Sequence, residues 1–113
     1  MSDTPVLDLL ARMTADSIEE SSLDSQRLAL VRLAALVASD APPASYLTNI
    51  GAASEVGLDL DDVQAVLVSV APIVGTARVM TAAGNIAEAL GMAVAIVEAE
   101  IADALAGGGS AAE

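Results

Sequence analysis

The sequence predicts an all-α protein with a single helical domain over residues 1–106. Apolar residues recur at the helical period of about 3.6 in every segment, and no stretch alternates apolar and polar residues as a strand would. Proline and glycine fall at the boundaries between these segments. The tail, GGGSAAE, has nothing to bury, so we expect residues 107–113 to be disordered.

The first helix is predicted to begin at Pro5, after a cap at Asp3 or Thr4, and to end near Asp16. Proline is tolerated at the first helical position because its missing N–H would have no intrahelical partner there. The apolar residues of this helix form one stripe: Val6, Leu9, Leu10 and Met13. Residues 18–22, IEESS, are expected to form a polar connection.

The second helix is predicted to run from a cap at Asp24 or Ser25 to about Ser39. Its apolar side chains point around most of the circumference: Leu28, Leu30, Val31, Leu33, Leu36 and Val37. Such a helix must be covered on several sides. We expect Arg32, in its middle, to be paired with an acid or to pack its stem with its head in water; a functional cation is the other interpretation.

The third helix is predicted within residues 40–57, where polar side chains interrupt an otherwise aliphatic sequence. Two prolines, Pro42 and Pro43, open it, and Gly57 closes it as a natural C-terminal stop. Because this segment concentrates the polar side chains, it is where we expect any functional site to lie.

Ser45, Tyr46 and Asn49 of this helix are spaced so that they share one face and could line one cavity. Tyr46 is the only aromatic residue of the chain. In the alternative interpretation, Tyr46 fills a hydrophobic gap with its hydroxyl satisfied, while Ser45 and Asn49 bond to a neighbouring backbone or subunit.

A fourth helix is predicted to begin after Asp59, with Asp62 in the first turn, where the helix dipole favours a carboxylate. With Asp61 these residues form a trio of acids that could suggest a metal site. We prefer helix capping to a metal site, because capping explains all three acids and the chain offers no other ligand type to complete a metal site. Pro72 and Gly75 end the helix.

The final helix is predicted to run from Thr76 to about Ala106 as one long element. Its apolar residues keep a single helical phase across Gly84 and Gly91. We expect these glycines to permit a bend at Gly91 or close approach of another helix.

Composition excludes several classes of function. The net charge is −12, with no lysine and four arginines, which argues against binding nucleic acid or anionic membrane surfaces. The absence of cysteine and histidine excludes disulfides and thiolate chemistry and removes the usual neutral-pH base and metal ligand. We therefore expect no metal and no cofactor.

The longest uncharged run, residues 63–77, is too short to cross a bilayer and contains Pro72 and Gly75. The first residues, MSDTPVLD, place no basic residue before an apolar segment, unlike a secretory signal. A cytoplasmic location is therefore expected.

Three stretches follow one another at a familiar spacing: LDSQRLALVRLAALVAS, AASEVGLDLDDVQAVL and APIVGTARVMTAA. Together they resemble the carboxymuconolactone decarboxylase and alkyl hydroperoxidase D-like family over about residues 22–90. The best-matching features are the helix end from Ala53 to Gly57, the acidic start at Asp61 and Asp62, and Gly75 before the last helix. The resemblance implies an all-α oligomer of antiparallel helices.

The peroxidase branch of that family carries a Cys-x-x-Cys pair and a histidine on the helix before the matching glycine. Counting back from Gly57, the histidine position falls on Asn49 and the cysteine positions on Ser45 and Pro42. The neighbourhood where the family offers an assisting glutamate, residues 29–31, is aliphatic here. A disulfide-cycling peroxidase is therefore excluded by residue type.

Two hypotheses follow for function. The first is a non-catalytic relative that acts as a binding or structural homo-oligomer. The second is a lyase, decarboxylase or isomerase acting on a small anionic acid or lactone, in which Arg78 holds the anion and Asn49 or Tyr46 polarises a carbonyl. Glu55 or Glu88 with a raised pKa would have to serve as its base.

Both hypotheses share one predicted set of ligand-binding residues: Ser45, Tyr46, Asn49 and Arg78. They also share one predicted partner, the chain itself. The apolar circumference of the second helix and the family resemblance both favour a symmetric assembly, a homotrimer or a homohexamer.

Overall fold

The computed structural model describes the backbone of residues 3–112 and the side chains of residues 3–107. This part of the chain contains five helices and no strand, so the all-α prediction is confirmed. The helices are α1 Pro5–Glu20, α2 Ser25–Ala38, α3 Pro43–Glu55, α4 Leu60–Val74 and α5 Thr76–Ala112.

Local side-chain chemistry sets several helix ends as predicted. The Asp24 carboxylate caps α2 by accepting a hydrogen bond from the backbone N–H of Arg27 at 2.8 Å. Asp59 and Asp62 form a reciprocal capping box at the start of α4, with N···O distances of 2.9 and 3.1 Å. Both carboxylates are therefore engaged in capping, which confirms the interpretation preferred to a metal site.

Two glycines end helices in a backbone conformation that other residues adopt only with strain. Gly57 follows α3 with φ 87° and Gly75 follows α4 with φ 91°. At the first of these ends, the N–H of Leu58 returns to the carbonyl of Ala53 at 3.0 Å. Pro72 lies within the last turn of α4, so it is Gly75 that stops this helix.

Helix α1 extends beyond its predicted end near Asp16 and stops at Glu20. Residues 17–20 contain no proline or glycine, so nothing in them breaks the helix, and glutamate is a good helix former. The chain turns to an extended conformation only at Ser21, whose hydroxyl accepts a hydrogen bond from the N–H of Leu23 at 3.2 Å. The predicted polar connection is therefore shorter than expected.

The hydrophobic core lies between α2, α3, α4 and the first half of α5. Helix α2 packs against each of the other three, as its apolar circumference required. The buried cluster consists of Leu33, Val37, Ala41, Tyr46, Val63, Val66, Ala82, Ile86 and Ala89. Small side chains dominate this list, which lets the helices approach closely.

Helix α1 and the second half of α5 lie outside this core. No residue of α1 is buried, and the described side chains of α5 after Leu90 are exposed or half-buried. Helix α5 is continuous through Gly84 and Gly91, which confirms the prediction of one long element. Helix α5 has 37 residues and an expected length of roughly 55 Å, which is close to the largest dimension of the molecule, 58 Å.

The C-terminal end of α5 bears on the predicted domain boundary at residue 106. Helix α5 continues through Ala112, so the end predicted near Ala106 is wrong; Glu113 and the side chains of residues 108–113 lie outside the described part. The expected disorder of residues 107–113 therefore stays a prediction. None of the helices in residues 3–112 combines the length and the hydropathy that a membrane span requires.

Candidate functional site

A cleft of about 430 Å³ lies between α1, α2 and α3 and contains one of the predicted site residues, Asn49. Its apolar wall consists of Ile18, Leu28, Ala29, Ala52 and Val56. Its polar lining consists of Thr14, Ser25, Arg32, Thr48 and Asn49. A concave, mostly apolar cleft with a few polar groups is the usual form of a small-molecule site.

Arg32 supplies the only ionisable side chain in the lining of this cleft. It is half-buried, and its Nη2 donates a hydrogen bond to the hydroxyl of Ser17 on α1 at 3.0 Å. Within residues 3–107, the single side-chain ion pair joins Arg27 to Asp24 at 3.5 Å. The Arg32 guanidinium therefore borders the cleft without an acid partner in this part of the chain, so that pairing with an acid, one of the two arrangements expected of a structural arginine, is not found.

Arg32 was missing from the predicted ligand-binding set, although its helical position carried a signal. Ser25, Leu28, Ala29 and Arg32 recur at spacings of three and four and therefore share one face of α2. That face meets α1 and α3 across the cleft. The spacing alone did not show which of the several apolar faces of α2 would border a cavity.

Asn49 lies on the wall of the cleft formed by α3. Its Nδ2 donates a hydrogen bond to the backbone carbonyl of Ser45, one turn earlier, at 2.8 Å. This bond fixes the orientation of the amide on the helix, as the alternative interpretation of bonding to nearby backbone expected. Ser45 takes part through its carbonyl and does not line the cleft with its side chain.

Tyr46 lies in the hydrophobic core and not in the cleft. Its side chain is completely buried, and its hydroxyl has no hydrogen-bond partner among the described residues. Burial, and secondarily the negative charge of Asp40, raise the pKa of the phenol above its ordinary value of 10.0. The prediction that Tyr46 fills a hydrophobic gap is confirmed, but the expected partner for its hydroxyl is not found in this part of the chain.

Arg78 lies at a different place, where α4 gives way to α5. It is exposed, and its Nη1 donates a hydrogen bond to the carbonyl of Ala38 in the last turn of α2 at 2.6 Å. Arg78 and Asp40 line a separate cavity of about 450 Å³. The guanidinium thus binds a carbonyl at the C-terminal end of α2, where the helix macrodipole favours a cation.

The structure therefore divides the four predicted ligand-binding residues among different environments. Asn49 borders the cleft between α1, α2 and α3, Tyr46 is in the core, and Arg78 borders the other cavity. The two glutamates considered as general bases, Glu55 and Glu88, are exposed and do not line the cleft. Among the described residues, no cluster of three carboxylates is arranged to hold a metal ion.

Comparison with protein families identifies the scaffold. The family model described as the carboxymuconolactone decarboxylase family matches residues 4–89, which is more than half of the chain. The chain belongs to the carboxymuconolactone decarboxylase family. The match extends the resemblance to include α1, beyond the expected limits of about residues 22–90. No curated protein and no solved structure matched.

The cleft can be compared with the positions that carry the reactive residues in the peroxidase branch of the family. Asn49, which counting back from Gly57 placed at the histidine position of the peroxidase branch, lies on the wall of the cleft; Ser45 and Pro42, placed by the same count at the cysteine positions, do not line it. The chain contains no cysteine or histidine at any position. This member of the family therefore cannot perform the thiol peroxidase reaction.

Proposed function

We propose that this member of the carboxymuconolactone decarboxylase family is a non-catalytic binding protein that acts as a homo-oligomer. The observation that carries the proposal is the chemistry of the cleft between α1, α2 and α3. Its only ionisable lining residue is Arg32, and the remaining polar groups are hydroxyls and one amide. These groups can hold a ligand, but an arginine stays protonated at neutral pH and is a poor general acid or base.

A homo-oligomer is supported by apolar side chains that this chain does not cover itself. Those of α1 are Val6, Leu7, Leu9, Leu10, Met13 and Ile18, and those of the second half of α5 are Met92, Val94, Ile96, Val97, Ile101 and Leu105. Complete burial of a fully exposed aliphatic side chain is worth about 1.5–3 kcal/mol, and these side chains, which are 40–72% exposed, would each gain part of that amount. A second copy of the chain is the occupant we propose, in a homotrimer or homohexamer.

Charge supports a second copy over an anionic surface as the cover for these helices. The chain carries 16 acidic and 4 basic residues, so lipid headgroups or nucleic acid of the same sign would be repelled. An interface whose centre is aliphatic keeps the acidic residues at its rim, where water and salt reduce their mutual repulsion.

Light scattering combined with activity measurements tests this proposal. We expect the purified chain to have the mass of an oligomer at micromolar concentration and to show no turnover of peroxides, lactones or small carboxylic acids. A stable monomer would refute the homo-oligomer. Turnover that is abolished in Asn49→Ala, without loss of fold, would refute the non-catalytic assignment.

One observation favours the alternative, a lyase, decarboxylase or isomerase acting on a small anionic acid or lactone. The cleft presents a guanidinium from Arg32 and an amide from Asn49 toward the same space. Such a pair can bind an anion and stabilise charge that develops on a carbonyl oxygen. In this alternative Arg32 takes the anion-binding role that the sequence suggested for Arg78.

A further inference from the structure

The cleft contains a half-buried positive charge, on Arg32, that forms no ion pair with the described residues. Arg27 pairs with Asp24, Arg78 is exposed and donates a hydrogen bond to the carbonyl of Ala38, and Arg12 is exposed on α1. The guanidinium of Arg32 lies in a cleft without any carboxylate, although the chain contains 16 acidic residues. Half-burying a cation beside aliphatic side chains is unfavourable unless an anion or water satisfies its donors.

From this arrangement we infer that the cleft binds a monocarboxylate with an aliphatic body. The carboxylate lies on the guanidinium of Arg32, whose fork of donors matches two carboxylate oxygens. The body lies against Ile18, Leu28 and Val56. This inference rests on the proposed function, since it names the ligand class of the same non-catalytic cleft.

The charges of the site select a ligand with one negative charge. A single guanidinium can compensate one carboxylate, whereas phosphates and dicarboxylates would bring further charge into a chain whose net charge is already −12. The volume of about 430 Å³ suits a small organic acid, and the walls are aliphatic rather than aromatic.

Helix α1 forms the least buried side of the site. It has no buried residue, yet it contributes Thr14 and Ile18 to the wall and the hydroxyl of Ser17 to Arg32. A ligand that fills the cleft therefore adds contacts to a helix that has few of its own. Binding should slow amide hydrogen exchange in α1, most of all in its last two turns.

Isothermal titration calorimetry of the full chain with octanoate tests the ligand class. Octan-1-ol serves as a neutral probe with the same chain length. We expect saturable binding of octanoate and at least about a tenfold loss of affinity in Arg32→Gln, because a charge-assisted hydrogen-bonded pair is lost. The affinity for octan-1-ol should be the same in both proteins.

The matched control is Arg78→Gln, which removes the same charge at the other cavity. Its affinity for octanoate should stay within about twofold of the wild type, as for an ordinary surface change. Equal losses in Arg32→Gln and Arg78→Gln would refute a specific role for Arg32. The absence of saturable octanoate binding to the folded wild type would refute the ligand class.

A second pair of variants keeps the test informative if Arg32→Gln fails to fold. Ala52 is an exposed position on the wall of the cleft, and Ala52→Asp places a competing carboxylate there. Ala44→Asp, at an exposed position of the same helix that does not line the cleft, is its control. We expect Ala52→Asp alone to abolish octanoate binding; equal binding by both variants would contradict the inference.

These results are distinguishable from a failure of the proposed function. A monomer that binds octanoate through Arg32 would refute the homo-oligomer and support the ligand class. An inactive oligomer that does not bind octanoate would refute the ligand class and agree with the proposed function. Slower exchange in α1 with octanoate, absent in Arg32→Gln, would place the ligand beneath that helix.

Discussion

Replacing Tyr46 with phenylalanine should stabilise the protein, although it removes a polar group from its only aromatic residue. The Tyr46 ring is completely buried, and its hydroxyl finds no partner among the described residues. Phenylalanine keeps the ring and therefore the packing against the core. It removes an oxygen whose transfer from water is not compensated by a hydrogen bond.

The expected gain follows from the cost of burying an unsatisfied polar group. That cost is about 1–3 kcal/mol, so we expect Tyr46→Phe to raise the free energy of unfolding by about 1–2 kcal/mol. For a domain of this size, such a gain corresponds to roughly 3–10 °C in Tm. The increase should appear as a higher urea midpoint with an unchanged m-value.

Urea unfolding followed by far-UV circular dichroism measures this change, since the chain has no tryptophan to report by fluorescence. Both proteins must be compared at one protein concentration, because assembly contributes to apparent stability. The control is Ser69→Ala, which removes an exposed hydroxyl that bonds to the carbonyl of Ala65 at 2.7 Å. Its effect should stay within about 0.5 kcal/mol.

A loss of stability in Tyr46→Phe would refute this reasoning. It would mean that the hydroxyl has a partner that compensates its burial, such as an ordered water molecule. Tyr46→Ala distinguishes packing from polarity, because it removes the ring as well and should cost about 3–5 kcal/mol through the cavity that it leaves.

Three further predictions concern ionisation, capping and assembly. The folded state raises the pKa of Tyr46, so the free energy of unfolding should fall as the pH rises above 10.0, where the phenol ionises first in the unfolded chain. Urea titrations at several pH values should show this fall in the wild type and a smaller one in Tyr46→Phe. Asp59→Ala should lower the free energy of unfolding by about 0.5–2 kcal/mol because it removes the capping box. Asp61 is an exposed acid in the same turn, and Asp61→Ala should cost only about 0.3–1 kcal/mol; equal losses would contradict the capping role. Ile101→Glu, on the exposed part of α5, should lower the mass measured by light scattering without loss of helix content, and an unchanged assembly would exclude this part of α5 from the interface.

The helices were largely predictable because their ends depend on local chemistry. The Asp24 cap, the Asp59 capping box and the glycine stops each involve groups a few residues apart, so the sequence shows both partners. The end of α1 was predicted wrongly because no local group marks it. Residues 17–20 carry no strong local signal, and polarity alone does not stop a helix.

The candidate site was less predictable because it depends on small rotations about each helix axis. Tyr46 and Asn49 are only three residues apart on α3, about 60° around its circumference. That angle is enough to place Tyr46 in the core with α5 and Asn49 on the cleft beside α1 and α2. A shared helix face in the sequence therefore did not become a shared cavity.

The sequence by itself determined the helical class, most helix ends and the exclusion of thiol chemistry, because these depend on residue type and on neighbours along the chain. Only the tertiary structure decided that Arg32, and not Arg78, faces the cleft with Asn49. Arg32 lies on a helix with several apolar faces, and which of these faces borders a cavity is decided by the packing of all the helices together.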